Sequence, residues 1–400
     1  MRKLPLILSA AGLMMLTAPA VAEKAYDPGV TDTEIKIGNT VPYSGPASSY
    51  GIEGRVEAAY FKMINSKGGI NGRKINYISY DDAYSPPKTV EQTRKLVEQD
   101  EVFALFANIG TAAQAAVQKY LNEKKVPQLF ISTGAARWND PKHFPWTVPL
   151  LASYVVEGRI AAKHFLQAKP DGKIAILYQN DDAGRDYVRG FKEGLGDKVS
   201  MIVAEKAYEI TQPSIDAEVV ALKYSNADMV FLMALSKAGA QAIKKMAELN
   251  WKPLTYIVAV GNSIKGTLEP AGFENSIGLL TASSAKIVGD PRWADAPDVR
   301  EFLAFMKEWM PGEDPNSSAV EAGYFYAWMT AKVLRECGDN LTRENLLKVV
   351  TSQKDVAHPL LMPGVTLTIT PEDYSGYKSL QMMRFNGTSW EPFGPLITSD

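Results

Sequence analysis

The residue types that most often do chemistry in proteins are scarce in this chain, and their spacing matches no familiar pattern. Histidine occurs only as His143, His164 and His358, and no HExxH, CxxC or GxSxG motif is present. The paired acids at 81–82 and 181–182 follow predicted strands, where such pairs more often cap helices or make polar contacts between lobes than form a catalytic dyad. We therefore predict that the protein is not an enzyme and holds no metal and no cofactor.

Two loops do contain groups that could hold an anion. Residues 108–111, Asn-Ile-Gly-Thr, end a predicted strand and open a helix, so free backbone N–H groups and the Thr111 hydroxyl could meet a carboxylate. Residues 132–135, Ser-Thr-Gly-Ala, form a second such cluster after the next strand. Each loop alone is equally typical of ordinary helix capping, but both lie at one sheet edge. We therefore predict a binding site made by Asn108, Gly110, Thr111, Ser132, Thr133 and Gly134.

These loops are positioned by alternating strands and helices. Residues 35–41 and 74–80 are predicted strands around a helix that begins near Ser49, whose apolar residues recur at helical spacing. The alternation continues with strands at 102–106 and 129–132 around a helix at 112–122. Since each helix is long enough for a crossover, the pattern predicts a doubly wound parallel sheet, with its loops opening where ligands bind such sheets.

A second series follows a break in the pattern. Residues 139–149 contain three prolines and no period, and we predict that the chain first crosses between two lobes there. Helices and strands then alternate from 153 to 260, which predicts a second lobe of the same architecture. The segment 277–284 should return to the first lobe, and Asn386-Gly387 predicts a hairpin near the end of the chain.

The start of the chain is typical of a secretory signal peptide. Arg2 and Lys3 precede an apolar run from 4 to 16 and a small-residue site that predicts cleavage after Ala22. The run is shorter than the roughly 20 residues of a membrane span. The single cysteine, Cys337, lies far from this site, so no lipid anchor is expected and the mature protein should be free in a periplasm.

Charge and length exclude other classes of protein. The sequence has 43 Lys and Arg and 45 Asp and Glu. Without Arg2 and Lys3 of the predicted signal peptide, the formal charge is −4, and the sequence shows no basic patch. Nucleic acid is therefore not an expected partner. The remaining residues 23–400 exceed the roughly 250–300 that one core usually supports, which again favours two lobes.

Three blocks in order carry a resemblance to a known family. They are Ser44-Gly45-Pro46 with Tyr50-Gly51, the run Asn-Ser-Lys-Gly-Gly-Ile-Asn-Gly at 65–72, and Tyr80-Asp81-Asp82. The chain resembles the leucine/isoleucine/valine-binding family, the type I periplasmic solute-binding proteins of ABC importers. The likeness covers nearly the whole mature chain.

The resemblance implies an α/β fold of two doubly wound parallel-sheet lobes joined by a three-stranded hinge, because the tail would cross back and finish on the second lobe. Lobe 1 is then expected at 23–148 plus 282–362, and lobe 2 at 149–281 plus 363–400. A hinge between two lobes implies a cleft that closes on its ligand. The resemblance adds five candidate site residues: Tyr50 as an aromatic wall, and Asp181, Ala183, Leu235 and Gly261 on the second lobe.

Departures from the family pattern guide the prediction of the ligand. Amino-acid binders use a hydroxyl and a second-lobe acid to accept hydrogen bonds from the ligand's ammonium, but here those places fall on Gly134 or Ala136 and on residues 259–262, which contain no acid. A buried ammonium without partners costs several kcal/mol. Ala183 and Leu235 replace aromatic residues, and late segments such as 371–374 and 383–385 resemble a branch with aromatic carboxylates among its ligands.

We therefore predict an aromatic or other apolar carboxylate as the ligand, with a branched-chain or other hydrophobic amino acid, or an amide, as the alternative. The expected partner is an ABC permease in the inner membrane, and the protein is expected to be a monomer. A soluble ligand sensor is the alternative class of function, which the same fold also serves.

Overall fold

The computed structural model describes residues 24–398, so the predicted signal peptide lies outside the described residues. The strands of the described part, numbered in chain order, are β1 Ala25–Tyr26, β2 Glu34–Val41, β3 Lys74–Asp81, β4 Ala104–Phe106, β5 Gln128–Ile131, β6 Thr147–Pro149, β7 Ile174–Gln179, β8 Ile202–Tyr208, β9 Met229–Met233, β10 Leu254–Ile257, β11 Leu280–Ser283, β12 Asn340–Leu341, β13 Gln353–Val356, β14 Leu367–Ile369, β15 Ser379–Phe385 and β16 Trp390–Thr398.

The α-helices of the same residues connect these strands. They are α1 Gly51–Ser66, α2 Pro86–Glu98, α3 Thr111–Glu123, α4 Tyr154–Ala168, α5 Asp182–Leu195, α6 Asp216–Lys223, α7 Ser236–Glu248, α8 Glu269–Ala271, α9 Phe273–Ser276, α10 Pro297–Trp309, α11 Ser318–Glu336 and α12 Arg343–Val350. No helix in residues 24–398 is long and apolar enough to cross a membrane.

Two sheets organise the molecule, and each defines a lobe. The first sheet has the order β3-β2-β4-β5-β6 and is parallel throughout. The second has the order β16-β15-β11-β10-β9-β7-β8, in which β7 to β11 are parallel and β15 and β16 are antiparallel. The elements packed on the first sheet form the first lobe, and the elements packed on the second sheet form the second lobe. The predicted two-lobed α/β fold is confirmed, with an antiparallel hairpin added to the second sheet.

The chain passes between the two sheets at three places, but not always where the pattern placed them. The predicted crossing at 139–149 is corrected, because Thr147–Pro149 pairs in parallel with β5 as the edge of the first sheet. The chain therefore leaves the first lobe after Pro149, and it returns after β11. It crosses again only after Ile369, because Leu367 and Ile369 are buried in the core of the first lobe. The predicted boundary at 362–363 therefore moves beyond β14.

Local chemistry explains why these elements form. Ile52, Val56 and Tyr60 give α1 a buried face that packs on the first sheet. The Thr342 hydroxyl caps α12 by accepting a hydrogen bond from Asn345 N at 3.2 Å. The hairpin at Asn386 is closed by a hydrogen bond from its N–H to the Ser389 carbonyl at 3.1 Å.

Candidate functional site

A cavity of about 200 Å³ lies between the two lobes. The amino-terminal ends of α1, α3 and α11 reach it from the first lobe, and α4, α5 and the 259–263 turn reach it from the second. The crossing segments at 150–152 and 283–285 form its third side. The carboxyl ends of parallel strands therefore meet the cavity on both lobes, as expected for ligand sites in doubly wound sheets.

The two lobes touch each other around this cavity. Ser49 Oγ lies 2.7 Å from Ser236 Oγ, and the Tyr50 hydroxyl donates to the Val260 carbonyl. Ala136 N donates to Asp186 Oδ2 at 2.6 Å on the other side of the cleft. The structure therefore has the cleft closed.

Aromatic and aliphatic side chains make up much of the wall. Leu150, Leu151, Met233 and Leu235 supply aliphatic surface, and Ala183 leaves room at the start of α5. The aromatic residues of the wall are Tyr50, Tyr84, Tyr154, Phe325, Tyr326 and Tyr377. The apolar body of a small organic ligand would therefore be surrounded by apolar side chains.

Three helices each point a glutamate of the first turn into the cavity wall. They are Glu53 of α1, Glu157 of α4 and Glu321 of α11. Glu53 is buried because α11 crosses α1 at Gly323, where an added Cβ would lie 2.7 Å from the Glu53 carbonyl oxygen. Among the described residues of the wall there is no Lys or Arg.

Burial sets the protonation of these carboxyls. It raises the pKa of Glu53 to about 8, against a smaller lowering by the hydrogen bond from Ser132. Burial likewise raises the pKa of Glu321 to about 8 and that of Glu157 to about 7. Burial also lowers the pKa of His358, the histidine of the wall, to about 4, so this side chain is neutral at pH 7.

Glu157 is fully occupied by the second lobe itself. Its Oε1 accepts from Ala259 N at 2.7 Å and from the Tyr256 hydroxyl at 3.0 Å, and its Oε2 accepts from the Tyr187 hydroxyl at 2.8 Å. These bonds fix the turn that begins at Ala259 at the edge of the cavity. Glu157 therefore acts as a positioning residue.

Glu53 and two other groups keep hydrogen-bonding capacity free. Glu53 Oε2 accepts from Ser132 Oγ at 3.1 Å, and its other oxygen has no partner within residues 24–398. Tyr326 Oη lies near Ser132 and Glu53 without a well-formed hydrogen bond in the described chain. Asn262 Oδ1, on the second lobe, is also buried without a partner among these residues. Since buried polar groups normally have partners, these atoms mark where a ligand could bind.

Six of the eleven predicted site residues lie in the cavity wall. They are Tyr50, Gly110, Thr111, Ser132, Ala183 and Leu235. The Thr111 hydroxyl, however, is already paired with the Thr133 hydroxyl at 2.5 Å, and the Tyr84 ring lies over Gly110. The amino end of α3 therefore reaches the cavity with its Thr111 hydroxyl already paired, and its role in holding a carboxylate stays a prediction.

The other five predicted residues lie behind the wall. Asn108 is buried against Thr40, and Thr133 also accepts from Trp138 Nε1 at 3.3 Å. Asp181 caps α5 by accepting from Gly184 N at 3.0 Å. Gly134 and Gly261 pack against the carbonyl groups of Ala152 and Ala234. These residues lie outside the cavity wall in this structure, and their contact with a ligand stays a prediction.

The glutamates and most of the aromatic residues were missed by the sequence reasoning. Acids in the first turn of a helix usually compensate the helix dipole at the surface, so Glu53, Glu157 and Glu321 had an ordinary explanation. The available signal was that each lies within two residues of a glycine, a place where another helix can approach closely. In residues 24–398 no group of three or more potential ligands is arranged to hold a metal ion.

The fold and the cavity together define a two-lobed solute-binding protein. Residues 34–389 match the model of the family described as "Periplasmic binding protein". The chain therefore belongs to the periplasmic binding protein family, and its relatives place it with the leucine/isoleucine/valine-binding proteins. This confirms the family predicted from the sequence. Members of this family bind solutes and are not enzymes, as the sequence analysis also predicted.

Relatives of known name share this chain's length but only about a quarter of its residues. The leucine-specific-binding protein of Salmonella typhimurium is 23% identical over 374 residues, which cover 92% of this chain and 94% of that protein. Leu/Ile/Val-binding protein homolog 7 of Brucella suis is 24% identical over 348 residues, covering 84% of this chain and 82% of that protein.

Solved structures show the same fold. A fatty acid ABC transporter substrate-binding protein from Thermomonospora curvata matches with a TM-score of 0.81 at 19% identity, covering 94% of this chain and 95% of that one. A branched-chain amino acid ABC transporter protein from Thermus thermophilus with bound valine also matches with a TM-score of 0.81, at 16% identity, covering 92% of this chain and 97% of that one.

Proposed function

We propose that this protein is the periplasmic solute-binding component of an ABC uptake transporter, which captures a small organic ligand between its two lobes. The observation that carries the proposal is the cavity between the lobes, whose wall is supplied by both lobes and by the crossing segments. The family membership supports the same role. The expected location in a periplasm follows from the predicted signal peptide and from the family.

The mechanism is a shift between open and closed lobes, without a chemical step. A ligand enters the open cleft, contacts the first lobe at Tyr50 and Ser132, and is covered by the second lobe at Ala183 and Leu235. The contacts between Ser49 and Ser236 and between Ala136 and Asp186 form only when the lobes meet. The closed surface would then be presented to the permease.

The cavity wall supports the apolar body of the predicted ligand more than its carboxylate. The aromatic and aliphatic wall favours a ligand with an apolar body. The cavity volume of about 200 Å³ is smaller than the roughly 300–1,000 Å³ of most ligand pockets, which favours a small ligand. The predicted carboxylate finds less support, because Glu53, Glu157 and Glu321 line the cavity without a basic side chain among the described wall residues. A valine-bound and a fatty-acid-binding structure share the fold, so both classes belong in the test.

The test is a thermal-shift screen of residues 23–400 against amino acids, aromatic acids, short fatty acids, amides and amines. A ligand that binds only the folded protein raises the melting temperature by mass action. Ala183→Trp should fill the cavity from the second lobe and remove the shift, whereas Ala116→Trp, on the exposed face of α3, should leave it intact. A shift that survives Ala183→Trp would place the binding site elsewhere, and no shift with any class of compound would contradict the proposed function.

A further inference from the structure

The polar chemistry of the cavity is concentrated in a cluster on the first lobe that we call the Glu53 cluster, made of Glu53, Ser132 and Tyr326. Glu53 comes from α1, Tyr326 from α11, and Ser132 from the loop after β5. Glu53 and Tyr326 are 3% and 0% exposed. One Glu53 oxygen and the Tyr326 hydroxyl make no well-formed hydrogen bond within residues 24–398, although both belong to residues that line the cavity.

Taking the proposed function as given, we infer that the ligand is an organic cation, a protonated amine on an apolar body without a carboxylate, and that the Glu53 cluster binds its ammonium group. The free Glu53 oxygen and the Tyr326 oxygen are acceptors for ammonium N–H groups, and Asn262 Oδ1 offers a third acceptor from the second lobe. A buried ammonium requires such partners, and this wall supplies them.

The remainder of the wall agrees with a cation. No Lys or Arg lies among the described residues that line the cavity, so a ligand carboxylate would meet no opposite charge. At the amino end of α3 the Tyr84 ring packs against Gly110, and the Thr111 hydroxyl is bonded to Thr133. Tyr50, Tyr154 and Phe325 present aromatic surface to the cavity, and aromatic faces attract organic ammonium groups.

The position of this acid differs from that implied by the family resemblance, in which the acid that meets an ammonium lies on the second lobe. In this chain residues 259–262 contain no acid, and the neighbouring Glu157 is occupied by Tyr187, Tyr256 and Ala259. The charge partner has therefore moved to the first lobe, at the crossing of α1 and α11.

Proton release on binding distinguishes a cationic ligand from a carboxylate ligand. Without ligand, burial keeps Glu53 protonated at pH 7, and the titratable groups that face it are Tyr50, Glu57 and Tyr326. An ammonium ligand stabilises the ionised carboxylate, so Glu53 must lose a proton on binding. The dissociation constant should then fall about tenfold per pH unit between pH 6 and 7.5. A carboxylate ligand gives no such fall, because it favours the protonated form.

The experiment titrates residues 23–400 with two matched series by calorimetry: phenethylamine, phenylalanine and 3-phenylpropanoate, and 3-methylbutylamine, leucine and 4-methylpentanoate. Within each series the apolar body is constant while the amine and the carboxylate are present together or alone. We expect the amines to bind most tightly, with the stated pH dependence and with proton release to the buffer. Binding by the carboxylates or amino acids but not by the amines would overturn the inference, as would amine binding that is independent of pH.

Three variants assign the effect to the Glu53 cluster. Glu53→Gln should weaken amine binding by at least about 30-fold and abolish its pH dependence, since one partner of a buried charge pair is lost. Tyr326→Phe keeps the ring and should weaken binding by about 5-fold, the value of one hydrogen bond. Glu91→Gln, the same substitution on the exposed face of α2 and outside the cavity wall, should leave binding unchanged.

The two proposals fail separately. If amines do not bind but another class in the wider screen does, the organic-cation inference is wrong and the solute-binding function stands. If Glu53→Gln is poorly folded by circular dichroism, Tyr326→Phe and the pH dependence of the unmodified protein still decide the inference.

Discussion

The contact between Ala136 and Asp186 should control ligand affinity although neither residue lines the cavity. Ala136 N, in the first lobe, donates to Asp186 Oδ2 on α5 at 2.6 Å, and the Asp186 side chain is 15% exposed. This hydrogen bond to a charged acceptor exists only when the lobes are closed. Replacing Asp186 with Ala removes it from the closed state and leaves the open state solvated.

The size of the effect follows from the type of hydrogen bond. A hydrogen bond to a charged group contributes about 1.5–3 kcal/mol. Because every 1.4 kcal/mol is tenfold in affinity, Asp186→Ala should weaken binding about 10-fold to 150-fold. Asp186→Asn keeps an acceptor and should cost less. Arg137→Ala removes an exposed ion pair with Asp182, at 2.9 Å, and should change affinity less than about 5-fold.

The assay is calorimetric titration of each variant with the ligand that gives the largest thermal shift. Small-angle scattering of the ligand-bound proteins reports whether the lobes close. Binding by Asp186→Ala within twofold of the unmodified protein would contradict this prediction, because closure would then not depend on the contact. A larger loss of affinity in Arg137→Ala than in Asp186→Ala would contradict the expectation that the more buried contact contributes more to binding.

Three further predictions concern stability, each measured by urea unfolding. Between pH 6.5 and 7.5 the ligand-free protein should lose stability, because Glu53 and Glu321 stay protonated when folded but are ionised when unfolded; each contributes up to about 1.4 kcal/mol per pH unit. Below about pH 6.5 His358 has the opposite effect on stability, because burial lowers its pKa in the folded protein. Stability that stays constant or rises between pH 6.5 and 7.5 would contradict the burial of Glu53 and Glu321. Glu157→Ala should destabilise the protein by about 3 kcal/mol or more, because three donors lose their acceptor, and a loss below about 1 kcal/mol would mean that water replaces the carboxylate. Thr342→Ala should cost about 1 kcal/mol through the lost cap of α12, whereas Thr342→Ser should be nearly neutral.

The sequence predicted those parts of the fold that depend on local pattern. The apolar spacing of Ile52, Val56 and Tyr60 identified α1, and the alternation of strands and helices identified two parallel sheets. The strand at Thr147–Pro149 was missed, because its three residues become a strand only by pairing with β5. The late crossing after β14 was also missed, because it is decided by which core buries Leu367 and Ile369.

The candidate site was predicted by loop but not by residue. Ser132 and Thr133 are neighbouring polar residues in one predicted site loop, yet Ser132 reaches the wall and Thr133 lies behind it, bonded to Trp138. Consecutive residues face opposite ways, and the sequence does not show which way each faces. Glu53 and Tyr326 are brought together by the packing of α11 on α1, which no local pattern records.

The most direct test of solute binding between the lobes is a crystal structure of residues 23–400 with the compound that stabilises them most. We expect closed lobes, one molecule in the cavity between Tyr50 and Leu235, and an ammonium nitrogen within about 3 Å of a Glu53 oxygen. A carboxylate seated at the amino end of α3 would contradict the ligand class alone. A molecule bound outside the cavity, or lobes that stay apart around it, would contradict the solute-binding mechanism itself.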